Sequence, residues 1–396
     1  MGSAIADLPN IILTVYTSCL LLALSMLACG LANAATILVG PGGQAASVGE
    51  AIRRASDGDT ILIQSGEYRG DVAVLHQKRL TLRGVGRRPV LIADGKNAEG
   101  KAIIVVRDGD IRVENLEFRG ARVPDGNGAG IRFEKGRLHI RNCAFFDNEN
   151  GVLTANFNDA ELVIEDSEFA MAPRVEGKLH HLLYVGRIAS VKVSGSRFHQ
   201  GYTGHLIKSR ASRTELAYNL IYDGPGGQAS YEVDLPNGGD AVLIGNVIGQ
   251  SATTENPVVV AYGAEGNAWP SSHLWLVHNT LISEGLRPAW FLRVWNERLP
   301  PSVEVKATNN LSVGLGSFSL AARGQFNGNF PAMRNALNDI DTLDFRLGEG
   351  SPLRGRGVDP AGATGTGLLP VAEFVLPIGT QALPPLDRWS PGAFQR

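Results

Sequence analysis

Lys208, Arg210, Asp234 and Asn237 lie in one stretch, Gly204 to Asn246, where the neighbouring repeats carry blander residues. A lysine releases its proton more readily beside another cation or in an apolar setting, and holds it more firmly beside an aspartate. Lys208 is therefore a candidate base, with Arg210 and Asp234 acting on it in opposite senses. Taking a proton from a carbon next to a carboxylate needs two further groups. One neutralises the carboxylate, and one protonates the departing oxygen. Tyr184 and Tyr262 are the candidate acids, and His205 stands on the same stretch as the lysine. Glu232, Asp234 and Glu265 supply the hard oxygen ligands of a candidate cation site, with Ca2+ as the metal it would suit. Hydrolysis of a glycosidic bond requires a carboxylate pair, and no adjacent Asp-Asp occurs on these strands.

A repeat positions these residues. A short strand, His205 to Ser209, is followed by a turn, a second strand and Tyr218-Asn219-Leu220-Ile221-Tyr222. The cycle then restarts at Ser230. Aligning the chain on a sharp corner in each unit gives Gly84, Asn115, Asn142, Asp166, Gly195, Asn219, Asn246, Asn279 and Asn309. From Asn115 onward the steps are 27, 24, 29, 24, 27, 33 and 30 residues. A period in this range, built from short strands and turns without a 3.6-residue pattern, predicts a stacked parallel coil. Asparagine tolerates left-handed backbone at such a corner, and stacked amides bond from coil to coil. Three places on, Phe118, Phe145, Phe169, Phe198, Tyr222 and Ile282 form the expected internal stack. At the start, Ser47-Val48-Gly49-Glu50 reads as a capping box opening a short helix that would cover the end of the core.

Counting back from each corner places Thr154, Tyr184, Lys208, Asp234, Tyr262 and Arg293 in one column. Stacked strands lie about 4.8 Å apart, a repeat that suits an extended sugar chain. With Trp290, Trp295, Asn237 and His181 nearby, the column offers rings to stack on and cations for carboxylates. An acidic polysaccharide is the expected partner. The same residues also read as an inter-coil ion pair on a plain surface.

The layout resembles the right-handed parallel β-helix proteins of the pectate-lyase-like superfamily. The resemblance rests on Ala51-Ile52…Asp57-Gly58-Asp59-Thr60-Ile61, the asparagine column, His278-Asn279-Thr280 and Ser351-Pro352. It implies an all-β, right-handed solenoid and leaves the activity open among lyases, hydrolases, epimerases and non-enzymes. The strand at Lys208-Ser209 is similar to the lysine strand of chondroitinase-B and alginate-lyase enzymes, which implies that Lys208 is the base. Those enzymes place acidic Ca2+ ligands just upstream and an arginine on the following coil. Here Gly201 and Thr203 stand upstream, and Asp234-Leu235 follow. The expected function is β-elimination of a uronic-acid polymer. A C5-epimerase of such a polymer and a non-catalytic carbohydrate-binding scaffold are the alternatives.

The 396-residue chain holds 48 glycines and 20 prolines, which favours frequent turns over long helices. Its net charge of −2 argues against nucleic acid as a partner. Residues 11–31 are mostly apolar and end at Ala32-Asn33-Ala34, so 1–34 reads as a secretory signal, with a membrane anchor as the lesser reading. Residues 35–325 are assigned to the solenoid, and 326–396 to an irregular Pro/Gly-rich tail packed on it. The expected mature protein is a secreted or periplasmic monomer. Of its three cysteines only Cys143 lies beyond the leader, so no intrachain disulfide is expected.

Overall fold

The computed structural model describes residues 34–319, 323–364 and 368–395; all of the predicted leader except Ala34 falls outside them. Over the described residues the chain winds through three parallel sheets. The first has 12 strands, from Thr36–Val39 to Gln325–Asn327. The second has 11, from Glu67–Arg69 to Phe330–Ala332, and the third has 10, from Ala73–Leu75 to Gly316–Ser317. One coil visits the sheets in that order, as in Arg137–Arg141, Ala144–Phe146 and Asn150–Thr154. Ladder strands thus continue to Ala332, past the residue 325 boundary drawn from sequence.

Alternation builds the first sheet. In Arg137–Arg141, Leu138 and Ile140 are buried while Arg137 and Arg141 are exposed, as a two-residue side-chain period requires. On the second sheet Phe118, Phe145, Phe169 and Phe198 stack with centroids 5.1, 4.5 and 4.7 Å apart. That spacing matches the rise of one coil. The register continues this stack through Ile221, Ile248 and Leu281. Tyr222 and Ile282, expected in it, lie one residue later and pack into a separate outer cluster instead.

The corner column resolves into two. Asn115, Asn142, Asp166, Gly195, Tyr218, Gly245, His278 and Asn309 hold the left-handed backbone, with φ between 48° and 65°. Asn219, Asn246 and Asn279 sit one residue after the corner, fully buried. Each Nδ2 of Asn219, Asn246 and Asn279 donates 2.9 Å to the next coil's side-chain oxygen, ending on Asn310. The inner ladder runs on through Asn329, and Ser196 and Ser167 extend it the other way.

Near the start, Ser47 caps the helix Val48–Arg54, whose Val48, Ala51 and Ile52 are buried in the main core. The carboxylate of Asp71 accepts from the free N–H groups of Val48 and Gly49. At the other end the tail forms two antiparallel pairs, Leu337–Asp339 with Asp344–Leu347 and Ala372–Phe374 with Thr380–Ala382. Leu337, Phe345, Leu347 and Phe374 cover outward apolar residues of the second sheet, among them Leu220, Tyr222 and Val247. Leu368 packs on Ala217, Val242 and Ile244 of the first sheet. Among the described residues these contacts fall on the first two sheets.

Candidate active site

The third sheet carries the candidate residues. Its register runs Leu153, Tyr184, Lys208, Asp234, Ala261, Arg293, one residue per coil. Tyr184, Lys208, Asp234 and Arg293 therefore share the expected column. Thr154 and Tyr262 do not, because each sits one residue further along its strand and faces the other way. Tyr262 is fully buried, with its hydroxyl donating 2.7 Å to the Gly239 carbonyl. Burial holds its proton tightly, so Tyr262 is removed as an acid for a substrate on the surface.

Lys208 Nζ lies 3.1 Å from Asp234 Oδ2 and 3.6 Å from Glu265 Oε1. Arg210 makes two bonds to Glu265, of 2.5 and 2.8 Å, one 2.5 Å bond to Asn237 Oδ1, and one 3.2 Å bond from Nε to the Tyr184 hydroxyl. The Arg210 pairing holds the Glu265 carboxyl below its ordinary value. Asp234 goes the other way: burial raises its carboxyl despite the adjacent Lys208, and its Oδ1 has no partner. Desolvation outweighs the single close cation there.

His205 is placed by a second outward column, three residues before the first. His181, His205 and Tyr231 stack at 4.9 Å spacing. Backbone N–H groups of His205 and Tyr231 donate to Nδ1 of His181 and His205, leaving the proton of each ring on Nε2. The Nε2 of His205 faces Asp234 Oδ2 at 3.3 Å. Burial, then Lys208 and Arg210, lower His205 to about 3, and burial lowers His181 well below its usual value. His205 thus stays neutral and orients Asp234. His181 is 7 % exposed, with its ring edge-on to Tyr184; it supports the groove from beneath.

Three coils from Lys208, Arg293 lies between two indoles, 4.6 Å from the Trp290 ring and 4.5 Å from that of Trp295. Trp295 itself is buried. Beyond Tyr184, in the opposite direction, a cleft of about 510 Å3 is lined by Lys101, Asp125, Arg132, Asn156 and Tyr184. A larger cleft, of about 850 Å3, opens under the Ala372–Ala382 hairpin at the first corner. Its Arg83 and Glu114 pair with each other, and it lies away from the column.

The predicted cation trio does not converge. Glu232 points into the core, where its register neighbours are Leu206 and Val259, and both of its oxygens are fully buried without partners. Asp234 faces out against Lys208 and His205, and Glu265 is held by Arg210. Among the described residues no group of three or more His, Cys, Asp or Glu side chains is arranged to hold a metal ion. With each outward carboxylate answered by a cation, the donor set does not fit Ca2+.

Two contributors were not found from sequence. Tyr231 stacks on His205, and Trp269 donates from Nε1 to the Arg210 carbonyl at 3.1 Å. Tyr231 had a signal, since His181, His205 and Trp290 also stand three residues before a member of the first column. Trp269 had none, because it lies two coils on, in the turn between Val258–Tyr262 and His273–Val277.

No protein-family model matches this chain, and neither does any curated protein. Among solved structures it is similar to pectate lyase Pel9A, at 13 % identity and a TM-score of 0.65 over 93 % of this chain and 98 % of that one. It also aligns with the PL6 family alginate lyase AlyGC, at 16 % identity and a TM-score of 0.43, over 76 % of this chain and 40 % of that one. The chain has the pectate-lyase-like right-handed parallel β-helix fold.

Proposed function

We propose that the outer face of the third sheet binds a uronic-acid polysaccharide and cleaves it by β-elimination. The observation that carries this reading is the placement of Tyr184, Lys208 and Asp234 on adjacent coils of that face. A polymer lying along the column meets a new side chain about every 4.8 Å, and the Trp290–Arg293–Trp295 cluster engages it further along.

The reaction follows from the neighbours of Lys208. Asp234 is buried and 3.1 Å from Lys208 Nζ, so a proton passed from Lys208 to it replaces an ion pair with one buried member by a neutral pair. The freed amine takes the C5 proton. The C5–H electrons form the C4–C5 double bond, and the C4–O bond breaks with its electrons on oxygen. Tyr184 gives that oxygen a proton, since its hydroxyl accepts from Arg210 and keeps its own O–H to donate. The products are a new chain end and an unsaturated uronate.

The test is incubation of the purified protein with a panel of uronic-acid polymers, following absorbance from the unsaturated product. Growth of absorbance supports the lyase. Solvent deuterium at C5 without absorbance selects an epimerase, and binding alone selects a scaffold. We also propose that the protein acts outside the cytoplasm, after removal of residues 1–34.

A further inference from the structure

Glu265 occupies the place where the reaction needs the substrate's own carboxylate. Its two oxygens fill the Arg210 fork, and one of them is 3.6 Å from Lys208 Nζ. A sugar carboxylate in that position would have its charge neutralised by Arg210, with the base beside it at the distance from which C5 is attacked. The receptor is fixed without Glu265. Tyr184 and Asn237 hold the guanidinium, and Trp269 holds the backbone carbonyl of Arg210. Glu265 alone among these partners is largely open to water, its side chain being 46 % exposed against 18 % for Arg210. It can leave by rotating its own side chain, while its backbone N–H stays bonded to the Pro236 carbonyl.

We propose that Arg210 and Asn237 form a carboxylate receptor for a free hexuronate, and that Glu265 is its resident occupant, displaced when substrate binds. This rests on the acidic-polysaccharide reading above. Exchange of one carboxylate for another keeps the charge of the pocket constant, so Lys208 and Arg210 are never left with an unanswered excess of positive charge. A strut role explains the contacts less well. Lys208 and Asp234 already tie the coils, and the Arg210–Glu265 pair, its carboxylate half exposed, contributes little to folding. The receptor also selects chemistry. A methyl-esterified uronate has no charge with which to displace Glu265, so the ligand class is the unesterified acid.

The experiment is calorimetric titration of the wild type, Glu265→Ala and Glu265→Gln with unesterified and methyl-esterified uronate oligomers, with melting recorded for each protein. Removing an internal competitor restores the fraction of open receptor, so Glu265→Ala should tighten Kd for the free acid by about five- to tenfold. Glu265→Gln should tighten it less, esterified oligomers should bind poorly throughout, and melting should barely move. Unchanged or weaker binding by Glu265→Ala, where the wild type binds, overturns the resident-occupant role alone. A large drop in melting temperature would make Glu265 a strut and overturn it too. If no variant binds any uronate, this proposal and the polysaccharide reading fall together.

Discussion

Glu232 and Asp234 are two residues apart and meet opposite surroundings. Asp234 faces the groove with Lys208 and His205 against it, whereas Glu232 stands where its register neighbours are Leu206 and Val259. Burial, with a further push from Asp223, raises the Glu232 carboxyl well above its usual value; Asp223, itself buried at the corner, is raised to about 6. In both residues the native state holds a proton that the unfolded chain gives up near pH 4. Stability from these groups is therefore complete below that pH and is lost as pH rises through the folded values. Glu232→Leu should raise the melting temperature at pH 8, because Leu matches the column and removes an unpartnered carboxyl that costs roughly 1–3 kcal/mol. The gain should shrink toward pH 4, with Asp223 leaving a residual slope. A gain independent of pH would mean that Glu232 is not held protonated.

At the scale of strands and corners, Asn246 shows why the inner ladder matters. Its Nδ2 bonds to Leu216 O and Asn279 Oδ1, while its own Oδ1 accepts from the backbone and side chain of Asn219. Asn246→Ala should cost about 1–3 kcal/mol through the buried groups it strands, read as a lowered denaturant midpoint. Asn115→Ala, at a half-buried corner, should cost left-handed backbone strain together with the bonds its Nδ2 donates to the Gly84 and Gly86 carbonyls. The repeat was legible because corners, aromatic stacks and strand lengths recur. Its phase was not, because asparagine serves both at the corner and just after it, and counting merged Asn142 with Asn219. The same one-residue slack misplaced Thr154 and Tyr262, since a single step along a strand turns a side chain from surface to core. Tyr184, Lys208, Asp234 and Arg293 were placed correctly because they share one register position on successive strands, through Ala261. The Arg210–Glu265 contact spans 55 positions and arrives through a turn, where no period reports it.

For the whole molecule, the tail decides which faces are covered. Leu337, Phe345 and Phe374 close the second sheet, and Leu368 leans on the first. Among the described residues the outward row of the third sheet is part-exposed at Arg132, Tyr184, Lys208 and Arg293 and closed at Asp234 and Ala261, so a polymer would meet it at those four side chains. Export is a separate proposal with its own test. N-terminal sequencing of protein from the envelope or medium should begin near Ala35. An intact Met1 in a membrane fraction would mean an anchor instead.

The central claim is that Lys208 takes a proton from a sugar. It is tested most directly by the initial rate of unsaturated-product formation for Lys208→Ala beside the wild type, on the polymer the wild type cleaves. A base contributes about 10²–10⁴-fold, so the variant should lose that much rate even when assayed well below its melting temperature, which falls because the buried Asp234 loses its cation. Lys208→Arg, which keeps the pair, should not restore the rate. A Lys208→Ala protein that turns over at the wild-type rate would leave the residue a tie between coils alone and contradict its role as the base.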